Sequence, residues 1–281
     1  MIYPKEFENL VNSTPEELNK WGNLIGWGNP NAHILIIGKE SAIPKDDEGM
    51  QGLKQYIREI ASNSTQWKNN LCNNITQDRV VSIQFKGVED IDSIYNPIYP
   101  YKGQINCVRR IHKDKDGYNS IIGERGTSST WYYYQKLCDL IREQSLIKDK
   151  KIDFHRFVFT TELSVITAKY SKNVDKIERN KSIYNRTSFF KKDFFNRFSI
   201  IILAVGHYPK ENDFNIESIF HTKWNGATCK VGRYWYNPHH STTNTARLLI
   251  HTNQLSMVSD ALIKEIADRC IEFKNSYKIE L

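Results

Sequence analysis

Four runs of consecutive apolar residues punctuate the chain, at residues 32–37, 157–161, 199–205 and 246–250. Gly38 closes the first, Gly206 the third, and His251 follows the fourth. Runs that are continuous rather than alternating predict strands buried on both faces, as in a parallel sheet covered by helices. Helical spacing lies between and around them. Trp131, Tyr134, Cys138 and Ile141 fall on one helical face, with Thr127, Ser128 or Ser129 as the N-cap. Thr14-Pro15-Glu16-Glu17 reads as a helix start ahead of the first strand, with Pro15 suited to the first turn. Residues 258–273 predict a last amphipathic helix carrying Val258, Leu262, Ile266 and Ile271 on or near one face. The expected architecture is α/β: a central four-stranded, mostly parallel sheet flanked by helices, in one domain over residues 1–281. Residues 62–125 and 208–245 lack clear periodicity and read as irregular insertions on it. Within the second, Asn225-Gly226 predicts a hairpin turn.

Composition narrows the classes. At 40% hydrophobic and 25% charged, the 281 residues read as a globular chain. No stretch approaches the ~20 apolar residues of a membrane helix. The first residues, Met1-Ile2-Tyr3-Pro4-Lys5-Glu6, lack the apolar core of a signal peptide, so the expected compartment is the cytoplasm. The cysteines at 72, 107, 138, 229 and 270 have no CxxC spacing, which signals neither a zinc ribbon nor an iron–sulfur cluster. His221 and His239-His240 have no acidic or thiol partner at a recognisable spacing, so no metal and no cofactor is expected. The net charge of +7 suits a polyanionic partner, and equally a solubility charge. Arg109-Arg110, Lys113, Lys115 and Lys191-Lys192 can track phosphates or form a solvated face. The aromatic clusters at 95–101 and 234–236 can stack bases or pack the insertions.

Ligands of open parallel sheets gather at the carboxyl ends of the strands. The segments just beyond the four runs therefore matter: Gly38-Lys39-Glu40-Ser41-Ala42, Glu162-Leu163-Ser164, Gly206-His207-Tyr208-Pro209, and His251-Thr252-Asn253-Gln254-Leu255-Ser256. Two carboxylates and two histidines on one rim suit hydrolysis, in which a carboxylate positions water and a histidine stabilises a leaving anion.

Gly38-Lys39-Glu40-Ser41-Ala42 resembles the first motif of the uracil-DNA glycosylase superfamily. The segment from His251 to Ser256 resembles its last, His-Pro-Ser-Pro-Leu-Ser, matching at His251, Leu255 and Ser256. The third run, ending in Gly206-His207, is similar to that family's third strand end. Thr127-Ser128-Ser129 resembles its phosphate-gripping turn. The resemblance implies an α/β/α glycosylase fold and a monofunctional DNA glycosylase that hydrolyses the N-glycosidic bond of a nucleotide flipped from duplex or single-stranded DNA. It gives Glu40 the attacking water and His251 the departing base. Leu255 becomes the wedge in the base stack. Ser41, Ser128, Ser129, His207, Gln254 and Ser256 contact DNA, and Lys39, Ala42 and Glu162 surround the base.

Two positions depart from the family pattern. Glu162 stands where an Asn reads uracil, and an ionised carboxylate only accepts hydrogen bonds. Ala42 replaces the Tyr that excludes a 5-substituent. Both point to a modified pyrimidine, such as glucosylated hydroxymethylcytosine in phage DNA, and hence to defence as well as repair. The alternatives are a uracil-specific repair glycosylase, a nucleic-acid-binding chain of the same fold without catalysis, and an unrelated α/β hydrolase or nucleotide-binding enzyme. The segment after the first run lacks the glycines of a phosphate loop. Lys39 is the one lysine placed for Schiff-base chemistry. The chain is expected to act as a monomer, away from membranes.

Overall fold

The computed structural model describes residues 2–15, 24–43, 50–84, 95–101, 128–143 and 152–280. Each apolar run carries one of four parallel strands: β2 (Ile34–Gly38), β3 (Val158–Glu162), β4 (Ile200–Leu203) and β8 (Leu248–Thr252). Their spatial order is β3-β2-β4-β8. Every residue of β2 and β4 is buried, as expected of strands covered on both faces.

The expected four-stranded sheet is corrected to one of eight strands. Strand β1 (Trp27–Gly28) pairs antiparallel with β3. On the other edge β7 (Tyr234–Ser241) pairs antiparallel with β8, and β5 (Thr222–Trp224) and β6 (Cys229–Val231) both pair with β7. These strands escaped the pattern because β1 is two residues long and β5 to β7 are mostly polar or half-exposed. The stretch 208–245 is thus a sheet extension rather than an irregular insertion. Asn225-Gly226 turns the chain between β5 and β6, which do not pair with each other. The two-residue hairpin lies at Gly232-Arg233, between paired Val231 and Tyr234. Gly232 has φ +60°, a conformation that favours glycine.

Helices cover both faces. They are α1 (Lys5–Ser13), α2 (Gln51–Tyr56), α3 (Asn63–Cys72), α4 (Gln77–Gln84), α5 (Ser129–Ile141), α6 (Lys176–Phe190), α7 (Tyr208–Glu211), α8 (Ile216–Phe220) and α9 (Asp260–Tyr277). Most of the chain between 63 and 84 is therefore helical, in α3 and α4, rather than irregular. Ile98, Tyr99 and Tyr101 are buried in the core, so that part of the aromatic cluster packs the interior. Arg109, Arg110, Lys113 and Lys115 lie outside the described residues. So does Thr127, and Ser128 caps α5 by accepting from Trp131 N at 3.2 Å. Thr14 caps the end of α1, and its hydroxyl donates back to Leu10 O at 2.8 Å; the helix expected to start at Thr14-Pro15 falls on residues outside the described ones. Glu16 and Glu17 are not among the described residues. Helix α9 starts after Ser259, whose side chain caps it, and extends to Tyr277.

Alternation along the strands sorts side chains between the two faces. Phe159 meets Phe7 of α1 and Phe194, and Thr161 accepts from Arg186 of α6. Glu162, one residue on, faces the α5 side. Ile37, Thr161, Leu203 and His251 form one row across the sheet and so share the α6 face. Gly38 and Glu162 form the next row and belong to the opposite face.

Candidate active site

The carboxyl ends of β2 and β3 open into a cavity of about 250 Å³ on the α5 side of the sheet. Lys39, Glu40, Ser41 and Ala42 line it from the β2 loop, and Thr160, Thr161 and Glu162 from β3. Trp131, Tyr134, Tyr95 and Trp27 supply aromatic walls, with Ser128 and Gln254 at its margin. The strand order reverses at β2, from which the chain turns first to β3 and later back to β4. Ligand crevices of α/β sheets form at that kind of switch point.

Two carboxyls define the cavity's chemistry. Glu40 is buried, and its Oε1 accepts from Tyr208 OH at 3.1 Å, which in turn receives Arg179 Nη1 at 3.2 Å. Burial raises the Glu40 pKa, while hydrogen bonds from Ser171 and Tyr208 and the charges of Lys39 and Arg179 oppose the rise. Glu162 has no such support. Burial, then the Glu40 charge, push its pKa up to about 8, against the pull of Arg186. The Arg186 guanidinium is buried and bonded to Leu24 O at 2.8 Å and Thr161 Oγ1 at 2.9 Å. We read Glu162 as mostly neutral at pH 7, and Glu40, the better hydrogen-bonded and charge-supported of the two, as the acid that ionises first. Divergent environments of this kind assign different roles to neighbouring acids. Each acid has a buried Oε2 with no hydrogen-bond partner among the described residues, the kind of unsatisfied buried atom for which water or a ligand is the outstanding partner. Gly38 makes this possible, because a Cβ there would collide with Glu162 Oε2. The expectation that Glu162 only accepts hydrogen bonds is corrected. A neutral carboxyl also donates one.

Lys39 leaves β2 toward β4. Its Nζ lies 4.4 Å above the Tyr208 ring, a cation–π contact, and close to Gly206. A second crevice continues past it, lined by Lys39, Gly206, His207, Tyr208, Tyr234, Gln254, Ser256 and Met257 among others. His207 is exposed and stacks on Trp235, with ring centres 5.4 Å apart.

His251 is placed differently from the role its motif implies. It lines neither crevice. Its Nε2 lies 2.7 Å from Gly206 O. A carbonyl oxygen cannot donate, so Nε2 carries the proton and gives it to that bond. Burial lowers the His251 pKa to about 4, so the ring is neutral at physiological pH. Its ring stands T-shaped to that of Trp235, with centres 4.9 Å apart, and its row in the sheet puts it on the face opposite Glu162. The structure therefore brings Glu40 and Glu162 together but does not bring His251 to them.

Leu255 is fully buried, so it is core rather than a wedge. The exposed apolar side chain of that loop is Met257, at 64% exposure. Leu255→Ala is expected to cost about 2–5 kcal/mol of stability, as for other buried leucines. Met257→Ala should leave the denaturation midpoint unchanged within error. Urea titration followed by circular dichroism checks both. Ser129 occupies the first turn of α5 and does not line the cavity. Lys191-Lys192 follow α6 and line neither crevice.

Sequence reasoning missed Arg179, Arg186 and Met257 as site residues, and reached Tyr208 and Trp235 only as members of a rim segment and an aromatic cluster. Arg179 and Arg186 carry no local signature: they come from α6, whose sequence holds no motif that marks a site. His155 is also in the cavity wall, buried, bonded to Thr160 Oγ1 at 3.0 Å and held neutral by burial. Among the described residues no group of three or more His, Cys, Asp or Glu is arranged to hold a metal, and no helix is long and apolar enough to cross a membrane. No protein family, curated protein or solved structure matches the chain.

Proposed function

We propose that the chain is a DNA glycosylase that draws a pyrimidine nucleotide into the cavity between Glu40 and Glu162 and hydrolyses its N-glycosidic bond. The observation that carries this reading is the pair of buried carboxyls, each with an Oε2 that has no hydrogen-bond partner among the described residues, at the switch point of a parallel sheet and inside aromatic walls. Glu40, ionised and oriented by Tyr208, holds the attacking water and favours the oxocarbenium-like sugar. Glu162, neutral, offers the base edge one donor and one acceptor. It complements N3 and the exocyclic amine of a cytosine, and N3–H and O4 of a uracil as well. Ala42 leaves room at the cavity wall for a 5-substituent, so the reading remains a modified pyrimidine such as glucosylated hydroxymethylcytosine. Met257, exposed on the β8–α9 loop, would fill the gap in the stack, and Ser128, His207, Gln254 and Ser256 would meet phosphates.

In this account His251 is a positioning residue that ties the end of β8 to Gly206. His251→Ala should then lower turnover about tenfold, short of the 10²–10⁴ that general catalysts contribute. Base release should not follow a histidine titration between pH 5.5 and 7.5, since the ring is already neutral there.

The engagement of His251 with Gly206 favours a second reading, a nucleic-acid-binding chain without catalysis. One experiment separates the two. Duplexes carrying uracil, cytosine, hydroxymethylcytosine or its glucoside are incubated with the protein, then heated in alkali to cut abasic sites. Cleavage at the modified pyrimidine supports the glycosylase. Binding to every duplex with no alkali-labile site supports the second reading.

A further inference from the structure

We propose that Lys39 is a Schiff-base nucleophile that gives the chain a second activity, strand cleavage at abasic sites. The inference rests on the reading of DNA as the substrate. Lys39 is the first residue beyond β2, at the switch point, and it lines both the base cavity and the crevice that continues past Gly206. A sugar whose base occupied the cavity would have its C1′ near the junction of the two. Gly206, with φ +58°, has no side chain to block the path of the lysine across that junction. The amine is held 4.4 Å over the Tyr208 ring, a weak and reversible contact, and no hydrogen bond or ion pair fixes it among the described residues. Burial lowers its pKa from the usual lysine value, although Glu40 and Glu211 oppose this, so the nucleophilic form is more available than on a surface lysine. Glu40, its neighbour in the chain, stands beside it as a carboxylate able to move protons.

The chemistry balances without an oxidant. The Nζ lone pair adds to C1′ of the ring-opened aldehyde left by base loss. The resulting carbinolamine loses its hydroxyl as water and becomes a protonated imine. A carboxylate takes the C2′ proton, the electrons form the C2′–C3′ double bond, and the C3′–O bond breaks with phosphate leaving. Water then hydrolyses the imine and frees the lysine.

The test supplies the abasic site ready-made, so it does not depend on base release. The full chain is mixed with a duplex containing one preformed abasic site, with and without sodium cyanoborohydride, which reduces the imine to a stable amine. The expected results are a one-to-one covalent adduct mapped by peptide mass spectrometry to Lys39, and a β-elimination cut without reductant. Lys39→Arg, which keeps the charge, should lose both by at least a hundredfold while still binding a duplex with a tetrahydrofuran abasic analogue. An adduct mapped to another lysine overturns the inference. So does no adduct while the analogue is bound, and that outcome leaves the glycosylase reading intact. Failure to bind the analogue or any duplex overturns both.

Discussion

Glu40→Gln is expected to lower base release about 10²–10⁴-fold, the range lost when a positioned general base or electrostatic stabiliser is removed. The amide is isosteric and can still meet Tyr208 OH, so the fold and the affinity for duplex should survive. What disappears is the negative charge. Without it water is neither deprotonated nor oriented by a strong acceptor, and the positive charge that develops on the sugar has no counterpart. Single-turnover kinetics on the best substrate, with binding measured on the same preparation, checks this. A Glu40→Gln chain that releases base at the wild-type rate would remove the carboxylate from the mechanism. Tyr208→Phe should show a smaller loss, because burial would then raise the Glu40 pKa with one opposing hydrogen bond fewer.

Glu162→Gln should change the pH profile more than the maximal rate. In the wild type, Glu162 serves as a neutral acid, and activity should fall as pH rises through about 8, where it ionises beside Glu40. Gln keeps one acceptor and gains donors that do not titrate. The alkaline limb should therefore flatten, and above pH 9 the variant should outrun the wild type. Glu162→Ala should instead lose about 10²-fold or more at every pH, since the base edge is left unpaired. Stability follows the same titration with a definite sign. The folded-state pKa lies above the unfolded value near 4.5, so the native state binds more protons between about pH 4.5 and 8. Unfolding free energy contributed by this group is thus constant below pH 4.5, declines as pH rises to about 8, and is level beyond. Glu162→Gln removes that decline, so its advantage in melting temperature over the wild type should grow across the window. His239 and His251, each lowered to about 4, act in the opposite sense and weaken the fold as pH drops from 6.5 toward 4.

The four central strands were legible because continuous apolar runs have one good explanation in a chain of this size, burial on both faces. The rim segments were legible for the same reason, since strand ends fix where loops begin. Glu40 and Ala42 in the cavity wall, and Glu162 beside them, follow from that logic. The edge strands were not legible, because β7 mixes Tyr, Trp, Asn, Pro and His, and its partners are three residues each. Nor was the direction in which His251 points. Its strand end could be read from the sequence, but its face is set by a register with β4 that only the folded sheet reveals. Leu255 and Met257 show the same limit on a smaller scale: both are apolar residues in one loop, and only packing tells which is core. The neutrality of Glu162 arises from burial next to Glu40, residues distant in sequence, so charge at pH 7 could not be assigned from residue type.

The most direct measurement is a crystal structure of the Glu40→Gln chain bound to a duplex carrying the modified pyrimidine. The account predicts one nucleotide turned out of the helix, its base between Trp131 and Tyr95 with its edge on Glu162, and its C1′ within reach of residue 40. DNA lying elsewhere on the surface, with the base stacked in the helix and the cavity unentered, would contradict it.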